Sequence, residues 1–261
     1  MDLRLTFNED VVNYDTWRPR YCKELFEDII SYSNLNSEKQ AVEIGCGTGQ
    51  ATDSILKSGC SVTAVELGAN FVQFTNEKYK GLKTFNAVNT DFESFQCEPG
   101  SVDLIYSATA FHWIPDEIGY KKAFDLLKPG GTIALFWNKP FASREDDPLH
   151  QEIQSIYKKY AMAVLGQPYK KIIEFDKERF DGINEHIVKN GFVNLQCKMY
   201  KNERTFNAQD YISLLNTYSN HRAMDPKVRV EFENEMISAI NRFGGILRVY
   251  DTMDLHMAQK R

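Results

Sequence analysis

Glu43-Ile44-Gly45-Cys46-Gly47-Thr48-Gly49-Gln50 sets an acidic side chain two residues ahead of three glycines at alternate positions. Glycine tolerates positive φ and has no Cβ, so such a stretch turns sharply and lets a flat ligand lie against the backbone. The dinucleotide fingerprint G-x-G-x-x-G is not met, because position 50 is Gln. An acid beside the loop also suits a cationic ligand better than a diphosphate. Further along, Glu66 ends an apolar run, where a carboxylate can accept both hydroxyls of a ribose. Asp91-Phe92 places a carboxylate and a ring after the next run, fit for an exocyclic amine and a purine face. Ser107-Ala108 ends a fourth run with small residues that leave room for a ligand's tail, and Thr109-Ala110-Phe111-His112-Trp113 follows.

The five histidines show no metal-ligand spacing and have no cysteine neighbours, so no metal is expected. His112 and His221 are candidates for proton transfer; His150, His186 and His256 read as surface or core residues.

The elements that would position these groups alternate. Strands are expected at 41–44, 61–66, 82–88, 102–107 and 132–137, with helices at 21–30, 50–57, 70–79 and 116–127 and a turn at Lys128-Pro129-Gly130-Gly131. Continuous apolar strands between helices argue for a parallel sheet covered on both faces, doubly wound by right-handed crossovers. After Asn138 the pattern loosens. One apolar stripe from Leu149 to Val164 is expected to form a helix ended by Gly166-Gln167-Pro168. Helices at 182–189, 210–218 and 227–242 follow, with last strands near 193–200 and 249–258. In the final strand Asp251 interrupts an apolar side made by Val249, Met253, Leu255 and Met257. The division expected is an N-terminal arm and helix over the ligand (1–34), a binding core (35–140) and helical cap insertions with the last core strands (141–261), one domain overall.

Composition excludes several classes. With 31 Lys+Arg against 36 Asp+Glu and no run of five like charges, neither a nucleic-acid nor an anionic-membrane partner is suggested. Five scattered cysteines without C-x-x-C spacing fit reduced thiols rather than a disulfide framework. No apolar run of 18 residues and no leader-like segment occurs, so a cytoplasmic protein, a monomer or homodimer, is expected.

Taken together, Glu-x-Gly-x-Gly-x-Gly, the Glu closing strand two, Asp91-Phe92, Ser107-Ala108 with His112-Trp113, and Leu127-Lys128-Pro129-Gly130-Gly131 resemble the class I S-adenosylmethionine-dependent methyltransferases. Tyr14…Arg18-Pro19 ahead of the core is similar to the small-molecule, trans-aconitate methyltransferase-like (type 11) subgroup. The resemblance implies a Rossmann-like doubly wound sheet of seven strands, mostly parallel with a final antiparallel strand, plus helical cap insertions. It implies S-adenosylmethionine as cofactor, with S-adenosylhomocysteine as product. Gly45, Cys46, Gly47 and Gln50 would hold the methionyl part, with Glu43 supporting the loop. Glu66 would bind the ribose, Leu67 would lie along the adenine, and Asp91 with Phe92 would read its edge. Ser107 and Ala108 would line the methionine end, and Tyr14 and Arg18 would close over cofactor and substrate.

For the reaction itself, His112 and Tyr14 are the candidate catalytic residues, His112 as a base near the transferred methyl. Trp113, Tyr157, Tyr160, Tyr218 and His221 are the candidate acceptor pocket. The acceptor is expected to be a small molecule, a carboxylate or hydroxyl compound. Two alternatives stay open: a protein that binds S-adenosylmethionine without transfer, and a nicotinamide-dependent oxidoreductase, which the missing third fingerprint glycine disfavours.

Overall fold

The computed structural model describes residues 10–261. Helix α1 (Val11–Trp17) and α2 (Lys23–Ser33) lead into β1 (Gln40–Ile44), α3 (Thr52–Leu56), β2 (Ser61–Glu66), α4 (Ala69–Lys78), β3 (Phe85–Asn89) and β4 (Val102–Ala108). A short 3-10 turn at Phe111–Trp113 precedes α5 (Asp116–Leu126), β5 (Leu127–Phe141), α6 (Pro148–Lys159), α7 (Ala161–Leu165) and α8 (Lys177–Lys189). Then come β6 (Phe192–Phe206), α9 (Ala208–Leu215), α10 (Ser219–Arg222), α11 (Pro226–Arg242) and β7 (Leu247–Lys260).

The strands form one seven-stranded sheet in the order β3-β2-β1-β4-β5-β7-β6. β1 to β5 are parallel and β7 is antiparallel. The chain reverses direction across the sheet between β1 and β4, and in such sheets a ligand crevice opens at the carboxyl ends of those two strands.

The described chain divides into two compact units. One holds Pro19–Asn138, Asp176–Tyr200 and Met253–Arg261, and the other the described residues up to Arg18, Lys139–Phe175 and Lys201–Thr252. In the first, alternate strand residues feed two cores. Val42, Ile44, Val65, Ile105, Ile133 and Leu135 pack with α5 and α8. Ala41, Val62, Leu104, Tyr106, Ala134 and Phe136 pack with Leu25, Phe26 and Ile29 of α2. This period-two sorting is what a strand buried on both sides requires.

In the second unit α6, α9 and α11 bury Ile153, Leu214, Phe232 and Met236 together. Each of these helices starts on a side-chain cap. Asp147 accepts from the N–H of Leu149 and His150, Asn207 from that of Asp210, and Asp225 from those of Lys227 and Val228.

Two expectations need correction. Lys128–Gly131 is not a turn before a strand but part of β5. Pairing with β4 jumps from Val102↔Leu127 to Leu104↔Thr132, so the excess chain forms a bulge, and Gly130 supplies φ +78° there. The stripe from Leu149 to Val164 is two helices, broken at Tyr160, whose φ of −101° and ψ of 15° leave the helical region. Asp251, the polar exception on the apolar side of the last strand, is 1% exposed and takes a two-pronged hydrogen bond from Arg204, Nε at 2.5 Å and Nη2 at 2.8 Å.

That pair yields a prediction. Arg204→Met leaves a buried carboxylate uncompensated and is expected to cost about 3–5 kcal/mol, read from urea unfolding. The double variant with Asp251→Leu should recover much of that loss; equal stability of the single and double variants would show the pair to be unimportant.

Candidate active site

The loop after β1 explains its own glycines. Gly45, Gly47 and Gly49 have φ of +71°, +55° and +90°, a region that side chains disfavour. A Cβ on Gly45 would also lie 2.5 Å from the Ala110 Cβ. The loop is closed by Gly49 N–H to Cys46 O and tied to β2 by Gly45 N–H to Val65 O, both at 2.9 Å. Lys78 donates to the Thr48 carbonyl at 3.0 Å. Gln50 folds back on Thr48, so its amide serves the loop. The Cys46 side chain is buried against Ala64 and Ala87, which leaves only its backbone to a ligand.

Two acids sit behind this loop on neighbouring strands. Glu43 is fully buried; its Oε2 accepts from the Thr52 hydroxyl at 2.5 Å and the Tyr106 hydroxyl at 2.8 Å. Its Oε1 has no hydrogen-bond partner. Burial raises the Glu43 carboxyl to about 7, against the pull of those two donors, and the nearby Glu66 charge adds to the rise. Glu66 accepts from the N–H of Gly47 at 2.9 Å and of Gly68 at 2.8 Å, one on each oxygen. Burial raises its carboxyl too, opposed by the backbone N–H groups of Gly68, Gly47 and Leu67. Each Glu66 oxygen keeps a lone pair for a further donor. Leu67 is half-buried beside it.

Around the rest of the edge, Asp91 Oδ1 accepts from Ser94 N–H at 2.6 Å. The Phe92 ring is turned into the core with Phe95 and Phe111, so only its backbone is left for the rim. Ser107 is buried and donates to the Ile44 carbonyl at 3.0 Å; Ala108 is partly exposed.

Sequence reasoning missed the groups that brace this edge. Thr109 is left-handed at φ +56°, with its hydroxyl 2.7 Å from the Tyr21 hydroxyl and accepting from Asn138 N–H at 3.2 Å. Asn89 donates to the carbonyls of Glu66 and Leu67 at 3.1 and 2.9 Å. Nothing in one-dimensional spacing marks either residue. His112 and Trp113 are exposed. His112 Nδ1 accepts from the Trp137 indole N–H at 3.1 Å. Indole only donates, so this nitrogen carries the lone pair and Nε2 the proton, which removes the free lone pair that a base at Nε2 would need.

The helical unit has its own cavity of about 270 Å³. Tyr157, Tyr218 and His221 line it as the sequence suggested, together with Tyr211, which the sequence did not single out. Tyr160 instead turns its hydroxyl to Glu235 at 2.8 Å, and Trp113 is not among the lining residues. The Tyr157 hydroxyl lies 3.3 Å from His221 Nε2. Burial holds His221 down at about 4 and keeps the Tyr157 and Tyr218 hydroxyls above their usual range, so all three are neutral at neutral pH. The Arg18 guanidinium lies 4.6 Å from the Tyr218 ring centre and 5.0 Å from that of Tyr14.

Among the described residues, no group of three or more His, Cys, Asp or Glu is placed to hold a metal, and no helix is long and apolar enough to cross a membrane.

Residues 42–135, the segment that carries the loop and both acids, match a family model described as a methyltransferase domain. An uncharacterised methyltransferase of Schizosaccharomyces pombe is 25% identical over 244 residues, spanning 91% of this chain and 89% of that protein. The chain is a class I S-adenosylmethionine-dependent methyltransferase.

A Saccharomyces cerevisiae protein named as an S-adenosylmethionine-dependent methyltransferase is 31% identical to this methyltransferase over 139 residues, 51% of this chain and 46% of that one. In fold, the methyltransferase is similar to a protein of Anaeromyxobacter dehalogenans assigned as a type II methyltransferase. The TM-score is 0.63 at 18% identity, over 93% of this chain and 97% of that one. It is also similar to a Haemonchus contortus phosphoethanolamine N-methyltransferase solved with phosphomonomethylethanolamine and S-adenosylhomocysteine. There the TM-score is 0.56 at 14% identity, over 97% of this chain and 57% of that one.

The methyltransferase's own residues fit its cofactor. Glu43 holds an orphaned oxygen, and Glu66 has lone pairs to spare.

The raised Glu43 carboxyl makes stability depend on pH. Its folded value of about 7 exceeds the 4.5 of the free side chain, so its protonated form favours the fold. That contribution is complete below 4.5 and is lost as pH rises through 7, a change of about 3 kcal/mol. Glu43→Gln is neutral throughout. Relative to it, the parent is expected to lose urea stability between pH 5 and pH 8; parallel profiles would show Glu43 to be ionised at both.

Proposed function

We propose that this methyltransferase passes the methyl group of S-adenosylmethionine to a small-molecule acceptor by in-line displacement, the acceptor being held in the cavity of the helical unit. The observation that carries this reading is that cavity. At about 270 Å³ it is the size for a substituted ring or short chain, and it is too small for a folded polymer. Its walls are largely apolar, with neutral polar tips from Tyr157, Tyr211, Tyr218 and His221 and one cation, Lys170, and no carboxylate lines it. An uncharged or anionic oxygen acceptor suits such walls better than an ammonium, whose charge would be left uncompensated.

The cofactor supplies a methyl group on a positively charged sulfur, already activated for displacement. What the chain has to do is bind, align and exclude water. In this reading Gly45, Cys46 and Gly47 offer backbone to the methionyl part, and the orphaned Oε1 of Glu43 faces a cationic group of the ligand. The spare lone pairs of Glu66 accept ribose hydroxyls, Leu67 lies along the purine, and Asp91 with the Phe92 backbone reads its edge. Ser107 and Ala108 bound the methionine end. Arg18 and Tyr14, stacked beside Tyr218, act at the acceptor and give an anionic oxygen its partner. Holding two reactants in line supplies on the order of 7–11 kcal/mol of the barrier.

Calorimetric titration tests the cofactor half. Glu66→Ala and Asp91→Ala are each expected to weaken S-adenosylhomocysteine binding by roughly 1–3 kcal/mol. Unchanged affinity in both would remove their assigned roles. The acceptor half is tested by screening small carboxylic acids and phenols for S-adenosylhomocysteine release, then filling the cavity with Ala142→Phe. The substitution should raise KM for the acceptor at least about tenfold and leave S-adenosylhomocysteine affinity unchanged. An unaltered KM would place the acceptor elsewhere.

A further inference from the structure

The loop that follows α7 brings one charge to the cavity of the helical unit. Tyr169, Lys170 and Ile172 line that cavity, and Lys170 is the one charged side chain among the described residues that do so. The loop is pinned on either side of it. The Tyr169 hydroxyl donates to Gln154 Oε1 at 3.0 Å, and the Gln154 amide in turn donates to the Ala142 carbonyl at 2.8 Å. Lys171 is ion-paired with Glu145. Between these anchors, Lys170 has no hydrogen bond or ion pair among the described residues. It is exposed, whereas Tyr211, Leu214, Leu215 and His221 are buried. The cavity therefore has a charged end in contact with water and an uncharged end shut away from it.

We propose that Lys170 is the specificity residue of this cavity, selecting acceptors in which a carboxylate is joined to a ring or short apolar chain. The inference deepens the small-molecule acceptor reading above and rests on it. A lone cation at the border of an apolar space attracts an anion and repels a second cation. At the exposed end a carboxylate keeps part of its hydration, so little is lost in bringing it there. The apolar body of the same molecule is free to fill the buried end, where contact with the walls favours it. No charge at that end opposes this arrangement, because burial keeps Tyr157, Tyr211, Tyr218 and His221 neutral. One lysine balances one negative charge. A phosphate monoester brings nearly two and would leave the excess beside apolar walls, so the carboxylate is the better match. Arg18 stands against the Tyr218 ring and is not among the lining residues.

The test is a set of matched ligands read by binding. With S-adenosylhomocysteine saturating, ligand-observed NMR titration gives Kd for phenylacetate, cinnamate and isovalerate, for the amide of each, and for phenyl phosphate. The acids are expected to bind roughly 3- to 10-fold more tightly than their amides, the range for a charge pair at a partly exposed site. Lys170→Gln should erase that preference and Lys170→Arg should keep it, with amide affinities unchanged in both. Lys170 is exposed, so neither substitution disturbs the packing of the fold. Equal binding of acids and amides by the parent protein overturns the proposal. So does an acid preference that survives Lys170→Gln, and its loss in Arg18→Gln would then give the charge to Arg18. Tighter binding of phenyl phosphate than of phenylacetate overturns the choice of a carboxylate. Ala142→Phe separates this inference from the reading beneath it. If acids and amides bind equally and Ala142→Phe expels both, the cavity keeps its role and Lys170 alone loses its own. If no compound binds, or if Ala142→Phe changes nothing, both fall.

Discussion

A single carboxylate, that of Glu66, ties the loop after β1 to the turn after β2 through the N–H groups of Gly47 and Gly68. The tie is costly because Glu66 is 9% exposed, and it works only because two backbone donors meet the charge. Glu43 lies on the next strand and is buried more completely, and the Glu66 charge opposes its ionisation. A pair of neighbouring carboxylates in a dry site is poised for a cation, which relieves their repulsion as it binds. The sheet supplies the spacing: β1 and β2 run parallel in fixed register, so their acidic ends cannot drift apart.

The two compact units divide the chemistry by charge. The sheet unit gathers buried ionisable groups whose charges a bound ligand can answer. The helical unit lines its cavity with polar yet uncharged groups and one cation, Lys170, since burial suppresses protonation of His221 and ionisation of the tyrosines. Two of its charges, Arg204 and Asp251, are spent on each other.

Much of this was legible in the residues, for an identifiable reason. Strand ends and glycines are local, and Glu43, Gly45, Gly47, Glu66 and Ser107 all fall at places fixed by the period of the chain. Contacts between distant residues leave no such trace. Nothing near Thr109 announces that Tyr21 and Asn138 converge on its hydroxyl, and nothing near Asp251 announces Arg204. Phe92 shows the opposite limit: its position was readable but the direction of its ring was not, because an aromatic side chain at a sheet edge follows whichever apolar space is nearest. Tyr160 likewise shares a helical stripe with Tyr157, yet the break in the helix at that residue turns it toward Glu235.

The bulge at the start of β5 bears on how such a chain can change. Residues Leu127 to Thr132 face only Val102 to Leu104, and regular pairing resumes beyond them. Chain added or removed at Lys128–Gly131 would be absorbed there, because the ladder that carries Phe136 and Trp137 is registered afresh from Thr132 onward. The stretch acts as an expansion joint. Variation in length can collect at this point, at the edge remote from the ligand, without moving any side chain at the opposite edge by so much as one position.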